Sequence, residues 1–205
     1  MQHMGGSLAS MTKTRWRLAV PIILLITISA VYLSTGRLWS DAGPVAPLDD
    51  AYITFQYARQ IAQGEPYQYN DQDPPTTGMT SHLFGFLLAG AYRIGFTGLR
   101  LVAFALGSGV IWLGLISWLT YRLALHLAES RTWALLAAVL ALLTGSVQWG
   151  SFNGMETGLF SVLTLAALHA CLVQKHGLCA LWLALAALTR TEGLILAGLI
   201  WVITL

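Results

Sequence analysis

Long uncharged runs separated by short polar breaks constrain this chain more than any other feature it has. The runs fall at about 18–34, 101–119, 133–147, 159–173, 178–189 and 194–205, and the last two flank the polar island Thr189-Arg190-Thr191-Glu192. A stretch of about 20 apolar residues crosses the hydrocarbon core of a bilayer, and a small soluble domain cannot hide several of them. Only 10% of the 205 residues are charged, against about 25% in an ordinary soluble domain, and 56% are hydrophobic. The breaks are short, so successive runs must be antiparallel neighbours. The expected fold is an all-α polytopic membrane protein, a transmembrane helical bundle.

Residues 1–17 read as an N-terminal tail, with MQHMGGSLAS resembling a tag or a disordered extension. Lys13, Arg15 and Arg17 then precede the first uncharged run, 17 residues or about 25 Å of helix. That basic flank predicts a cytoplasmic N-terminus, and the absence of a clean small-residue cleavage site predicts a retained anchor. At the other end the chain is still apolar at Leu205, without a cap or charge, so it reads as the N-terminal part of a longer protein. The net charge of +2 offers nothing to nucleic acid. Cys171 and Cys179 have no metal-ligand spacing and read as small packing residues.

Between the first two runs lies an external loop, 35–98, which holds every proline except Pro21. Ile53, Tyr57 and Ile61 recur at helical spacing behind Asp49 and Asp50 as N-cap candidates, and Gly64-Glu65-Pro66 supplies a stop. This predicts an amphipathic helix along the membrane surface. Tyr67 to Thr77 reads as an irregular loop, and Ser81 to Phe96 as a short apolar helix interrupted by Arg93.

Whether 81–96 crosses decides the side of everything after it. If it packs at the outer surface, the Arg122/Arg131 connection and Lys175-His176 fall inside with the basic N-terminus, and Glu156 falls outside. This arrangement obeys the charge rule at three places and is preferred. It places Asp49, Asp50, Glu156, Arg190 and Glu192 on one face.

Charged groups near membrane depth cost several kcal/mol unless they are paired or used. Asp49-Asp50 is a carboxylate pair at a helix start, where capping is the ordinary duty of an aspartate. Glu156 is a further acid in a short loop between Gly154 and Gly158, and Arg190 with Glu192 can close a salt bridge across a helical turn.

Three stretches carry a resemblance. Leu48-Asp49-Asp50-Ala51-Tyr52-Ile53, continuing through Tyr57-Ala58-Arg59 and Gly64 to Gly78-Met79-Thr80-Ser81, resembles the first external loop of bacterial GT-C membrane glycosyltransferases, relatives of the protein mannosyltransferases and arabinosyltransferases. Gly154-Met155-Glu156-Thr157-Gly158-Leu159-Phe160 resembles their second external loop, and Ala187-Leu188-Thr189-Arg190-Thr191-Glu192-Gly193-Leu194 a later Arg-x-Glu-Gly turn. The chain departs from those proteins at His82, Gly158 and Thr191, where proline is expected. The resemblance runs from about Arg17 onward and covers the N-terminal part of such enzymes.

It implies a GT-C-like bundle in the bacterial cytoplasmic membrane that takes a polyprenyl-phosphate sugar as donor and transfers it to an acceptor hydroxyl on the extracytoplasmic side. Such a transfer needs a general base, for which Asp50 or Asp49 is the candidate. Glu156 is expected to orient the acceptor or to hold a divalent cation such as magnesium or manganese. Arg190, with Glu192, is expected at the donor phosphate. Tyr52, Arg59 and Tyr67 are the expected substrate contacts, with Tyr69 a further aromatic beside them. Catalytic carboxylates and Arg190 should then face one cavity at the outer membrane boundary. The alternative is a non-catalytic accessory or structural subunit that packs against other membrane subunits, for which the small residues Ala103, Ala105, Gly107, Gly109 and Gly114 are suited. A transporter ranks last, because no basic or acidic residue lies in the middle of the clear runs, as a proton or ion path would need.

Overall fold

A computed structural model describes residues 5–38, 43–76 and 78–204. Among them every regular element is an α-helix: α1 (Gly5–Leu38), α2 (Asp49–Gln63), α3 (His82–Arg93), α4 (Leu99–Ala128), α5 (Arg131–Leu143), α6 (Gly145–Phe152), α7 (Thr157–Leu172), α8 (His176–Thr189) and α9 (Glu192–Thr204). The all-α expectation holds. Among the described residues α4, at 30 residues, is the one helix long and apolar enough to cross a membrane alone. The apolar parts of α1, α7, α8 and α9 are shorter, at 10–17 residues. Residues 1–4 of the expected tail lie outside the described part, while 5–17 continue α1.

The run expected as one span at 133–147 is broken. α5 and α6 meet at Thr144, which is extended at φ −75°, ψ 112°, and their axes bend by 59°. Two side chains satisfy carbonyls near the break. Thr144 Oγ1 donates to the Leu140 carbonyl at 2.8 Å, and Gln148 Nε2 to that of Leu142 at 2.6 Å. Because α6 takes up residues 145–152, only four residues separate it from α7.

α2 also differs from expectation at its start. Leu48, extended at φ −121°, ψ 132°, is the N-cap, so Asp49 and Asp50 are the first helical residues and neither side chain caps. They act there only through the helix dipole. Gly64 ends the helix as expected, left-handed at φ 97°, and Glu65 N–H returns to the Gln60 carbonyl at 2.9 Å. The buried face comprises Ala51, Thr54, Phe55, Tyr57, Ala58, Gln60 and Ile61, whereas Ile53 is exposed, so the stripe is rotated from the one read in the sequence.

α3 has 12 residues, about 18 Å, well short of the roughly 30 Å hydrocarbon core. It is tied to α2, since Arg93 Nε donates to the Ala62 carbonyl at 3.0 Å. The irregular loop after α2 is held down by the same helix. Gln56 Nε2 donates to the Tyr69 carbonyl at 2.7 Å, Gln60 Nε2 to Asp71 Oδ1 at 2.8 Å, and the Tyr57 and Thr76 hydroxyls share a hydrogen bond.

The central core joins Phe55 and Ala58 of α2, Phe84 and Leu88 of α3, Leu101 and Val102 of α4, Leu159 and Leu163 of α7, and Ala186 of α8. α4 and α7 run parallel: Trp112 meets Gly158 at the start of α7, and one to two turns further on Ile116 and Leu119 pack with Val162. α5 returns along α4, where Ser117 Oγ donates to the Ala138 carbonyl at 3.1 Å. Large apolar side chains remain outside, among them Leu127 at 70%, Trp133 at 63% and Ile195 at 66% exposure. A water-soluble surface rarely gathers so many.

Candidate functional site

Three turns far apart in sequence meet at one end of the bundle. The first contact joins α2 to the loop before α7. Gly154 is left-handed at φ 79°, and a Cβ there would lie 3.2 Å from Ala46 Cβ, 3.6 Å from Ala51 Cβ and 3.6 Å from the Phe55 ring. The loop backbone therefore rests on the first turn of α2, next to Asp50. Asn153 shapes the turn by accepting the Met155 N–H on Oδ1 at 2.9 Å.

The second contact joins this loop to the α8–α9 turn. Glu156 occupies the N-cap position of α7 and is buried, with its side chain 5% exposed. Arg190 is the C-cap of α8, extended at φ −150°, ψ 144°, and its Nη1 donates to Glu156 Oε1 at 2.9 Å. The other edge of the guanidinium, Nη2 at 2.8 Å and Nε at 3.3 Å, donates to Oε1 of Glu192, the first residue of α9. Both acids thus stand at helix N-termini and the base at a helix C-terminus, so the dipoles favour every charge in the cluster.

Backbone geometry makes the turn this tight. A Cβ on Gly193 would lie 2.5 Å from Ala187 N and 2.6 Å from Ala186 C, closer than any side chain permits, so α9 doubles back directly on the α8 backbone. Thr189, fully buried, returns its hydroxyl to the Leu185 carbonyl at 2.8 Å and closes the end of α8.

Charge follows from these distances. The Glu192 hydrogen bonds, and then the field of Glu156, push the Arg190 guanidinium above its ordinary value against the opposing effect of burial. The same Arg190 hydrogen bonds hold the Glu192 carboxyl below the usual carboxylate range. The inner pair matters more for stability, because Glu192 is 52% exposed and solvent screens it.

Of the residues singled out in the sequence, the structure brings Glu156, Arg190 and Glu192 into direct contact. Asp49 and Asp50 are not joined to this cluster: they precede Ala51, which Gly154 touches, and both are exposed with no side-chain hydrogen bond or ion pair among the described residues. Tyr52 braces the approach to α2, its hydroxyl accepting the Ala46 N–H at 3.1 Å and its ring lying edge-on to Phe55. Arg59 and Tyr67 belong elsewhere. Arg59 lies 3.8 Å from Asp71 in an exposed pair, and Tyr67 packs beside the His82 ring. Thr189 and Gly193 stand in the sequence motifs without a role of their own, and Asn153 is absent from them, although Asn153-Gly154 is a recognisable turn dipeptide.

The expectation that the carboxylates and Arg190 face one cavity is not met by the cavity found at this end of the bundle. A cavity of about 450 Å³ opens beside the α2 entry, lined by Tyr32, Leu33, Pro47, Leu106, Trp149 and Phe152 among others. None of Asp49, Asp50, Glu156 and Arg190 lines it. The donor set does not fit a divalent cation either, since Glu156 is committed to Arg190 and no group of three metal-ligating side chains occurs among the described residues. Chemically, the cluster offers one guanidinium with N–H donors to spare, because three of its five are used, and two unpaired carboxylates on the neighbouring helix. The chain matches no family model, no curated protein and no solved structure.

Proposed function

We propose that this chain is the N-terminal module of a polytopic membrane glycosyltransferase, which transfers a sugar from a polyprenyl-phosphate donor to an acceptor hydroxyl on the extracytoplasmic side. The observation that carries the reading is the convergence of the three motifs. Nothing in local helix formation requires the start of α2, the Asn153–Glu156 loop and the Arg190 turn to meet, yet Gly154 rests on Ala51 and Glu156 pairs with Arg190.

Asp50 is the general base in this reading. It takes the acceptor hydroxyl proton as the oxygen attacks the anomeric carbon and the bond to the lipid phosphate breaks. Arg190 meets the departing phosphate with its spare N–H donors, while Glu156 fixes the guanidinium from the buried side. Orientation draws support from α3, too short to cross, and from the basic residues Arg122 and Lys175, which stand away from the acidic end. The N-terminus is then cytoplasmic, and the membrane is the cytoplasmic membrane of a bacterium.

Transfer from radiolabelled polyprenyl-phosphate sugars in membranes containing the chain tests this reading. Asp50→Asn should lower transfer about 10²-fold or more and Asp49→Asn should leave most of it. Equal, mild effects at the two positions would sink the base assignment. A second reading, an accessory subunit, is favoured by the exposed apolar face of α9, where Leu194, Ile195, Leu199 and Val202 are 57–66% exposed. It predicts stable co-purification with other membrane helices and no transfer.

A further inference from the structure

At the end of the bundle opposite Arg190, the charges are nearly all of one sign. Because α4 and α7 run parallel, their last turns meet there, and Arg122, His126 and Lys175 all act electrostatically on the His169 imidazole. Arg122 and Lys175 are exposed and neither is in a salt bridge. A helix C-terminus favours a cation in its last turn. That preference does not account for Arg122, more than a turn before the end of α4, whose guanidinium carbon lies 5.5 Å from the centre of the Trp118 ring. Trp118 is itself 51% exposed. An exposed tryptophan under an arginine, on a helix long and apolar enough to cross a membrane, has the layout of a side-chain pair at the boundary between hydrocarbon and headgroups.

We propose that Arg122 and Lys175, which both lie near His169, bind the phosphate of an anionic phospholipid in the leaflet at that end, and that Trp118 sets the depth at which the headgroup sits. The assignment rests on the membrane reading above but not on the transferase chemistry. Charge complementarity selects the occupant: the patch is cationic, and Trp118 gives it an apolar flank that a freely dissolved anion has no use for.

The full chain, purified in a neutral detergent, is incubated with equal amounts of palmitoyl-oleoyl phosphatidylglycerol and the matching phosphatidylcholine, and bound lipid is counted by native mass spectrometry. Phosphatidylglycerol should be retained about thirtyfold more, the order that two basic residues near a surface supply. Arg122→Gln with Lys175→Gln should abolish the preference, while Arg100→Gln at the opposite end should keep it. On the unaltered chain the preference should fall as salt rises, which checks the electrostatic origin without any substitution. Equal retention of the two lipids, or equal loss with Arg100→Gln, overturns the site. Full displacement of phosphatidylglycerol by excess inorganic phosphate overturns the lipid in favour of a free anion. Failure of the chain to float with phosphatidylcholine vesicles overturns the membrane reading and this proposal together, whereas absent sugar transfer in a chain that floats and selects phosphatidylglycerol overturns only the transferase.

Discussion

Arg190 reaches across 34 residues of sequence to place Nη1 2.9 Å from Oε1 of Glu156, and it is the only ion-pair partner of that buried carboxylate among the described residues. The pair closes the gap between two helix ends, and its two members should respond unequally to substitution.

Removing Arg190 leaves Glu156 buried and uncompensated. Arg190→Gln should cost about 2–3 kcal/mol, toward the lower end for a broken buried pair because Arg190 itself is 35% exposed. Glu156→Gln should cost less, since the amide oxygen still accepts from Nη1. Thermal melting in detergent reads both, and equal losses would show that the pair contributes symmetrically.

Acid should loosen the outer pair late. Arg190 holds the Glu192 carboxyl below its usual range, so its stabilising contribution is complete above the ordinary carboxylate value and disappears only as pH falls through the lowered one. Arg190 is raised, so its contribution is complete at every pH below its ordinary value. Melting temperature against pH should contain an acid step that Glu192→Gln removes. A step that survives the substitution belongs to another group.

Gly193→Ala puts a methyl against the Ala187 backbone nitrogen and should cost about 1–3 kcal/mol as the α8–α9 turn opens. Gly198→Ala, where nothing lies within 4 Å, should be neutral or stabilising by up to about 1 kcal/mol. Reversal of that order in melting experiments would show that the two helices do not pack backbone to backbone.

Topology is testable with cysteines in a background lacking Cys171 and Cys179. Positions 50 and 191 are exposed and should react with an impermeant maleimide added to intact cells, and position 175 should react only after permeabilisation. Glu156 is too buried to report. Labelling of 175 from outside would invert the assigned orientation.

Much of the helical layout was legible in the residues because apolar runs and Gly64 are local signals. The bend at Thr144 was not, since Thr144-Gly145-Ser146 is only weakly disfavoured in a helix and the break depends on Gln148 reaching back to Leu142. The rotation of α2 that exposes Ile53 depends on what packs against it, which no periodicity contains. At the site, Glu156 and Arg190 stood out as rare charges, and their contact is a product of α7 packing against α8. Asp50 could be named from its motif, but the cavity it does not line is walled by α1, α4 and α6, none of which the motif describes.

The helices differ greatly in length, and a bilayer would register it. α4 at 30 residues is about 45 Å long, while α7, α8 and α9, at 16, 14 and 13, reach only about 20–24 Å. A hydrocarbon core of about 30 Å fits neither. Were α7–α9 to cross a bilayer with α4, the lipid around them would have to thin and α4 would have to tilt or emerge. The shallow flank is the one that carries Glu156 and Arg190. Hydrophobic mismatch would therefore dimple the membrane at that flank, lowering headgroup phosphates toward Arg190 before any of them binds.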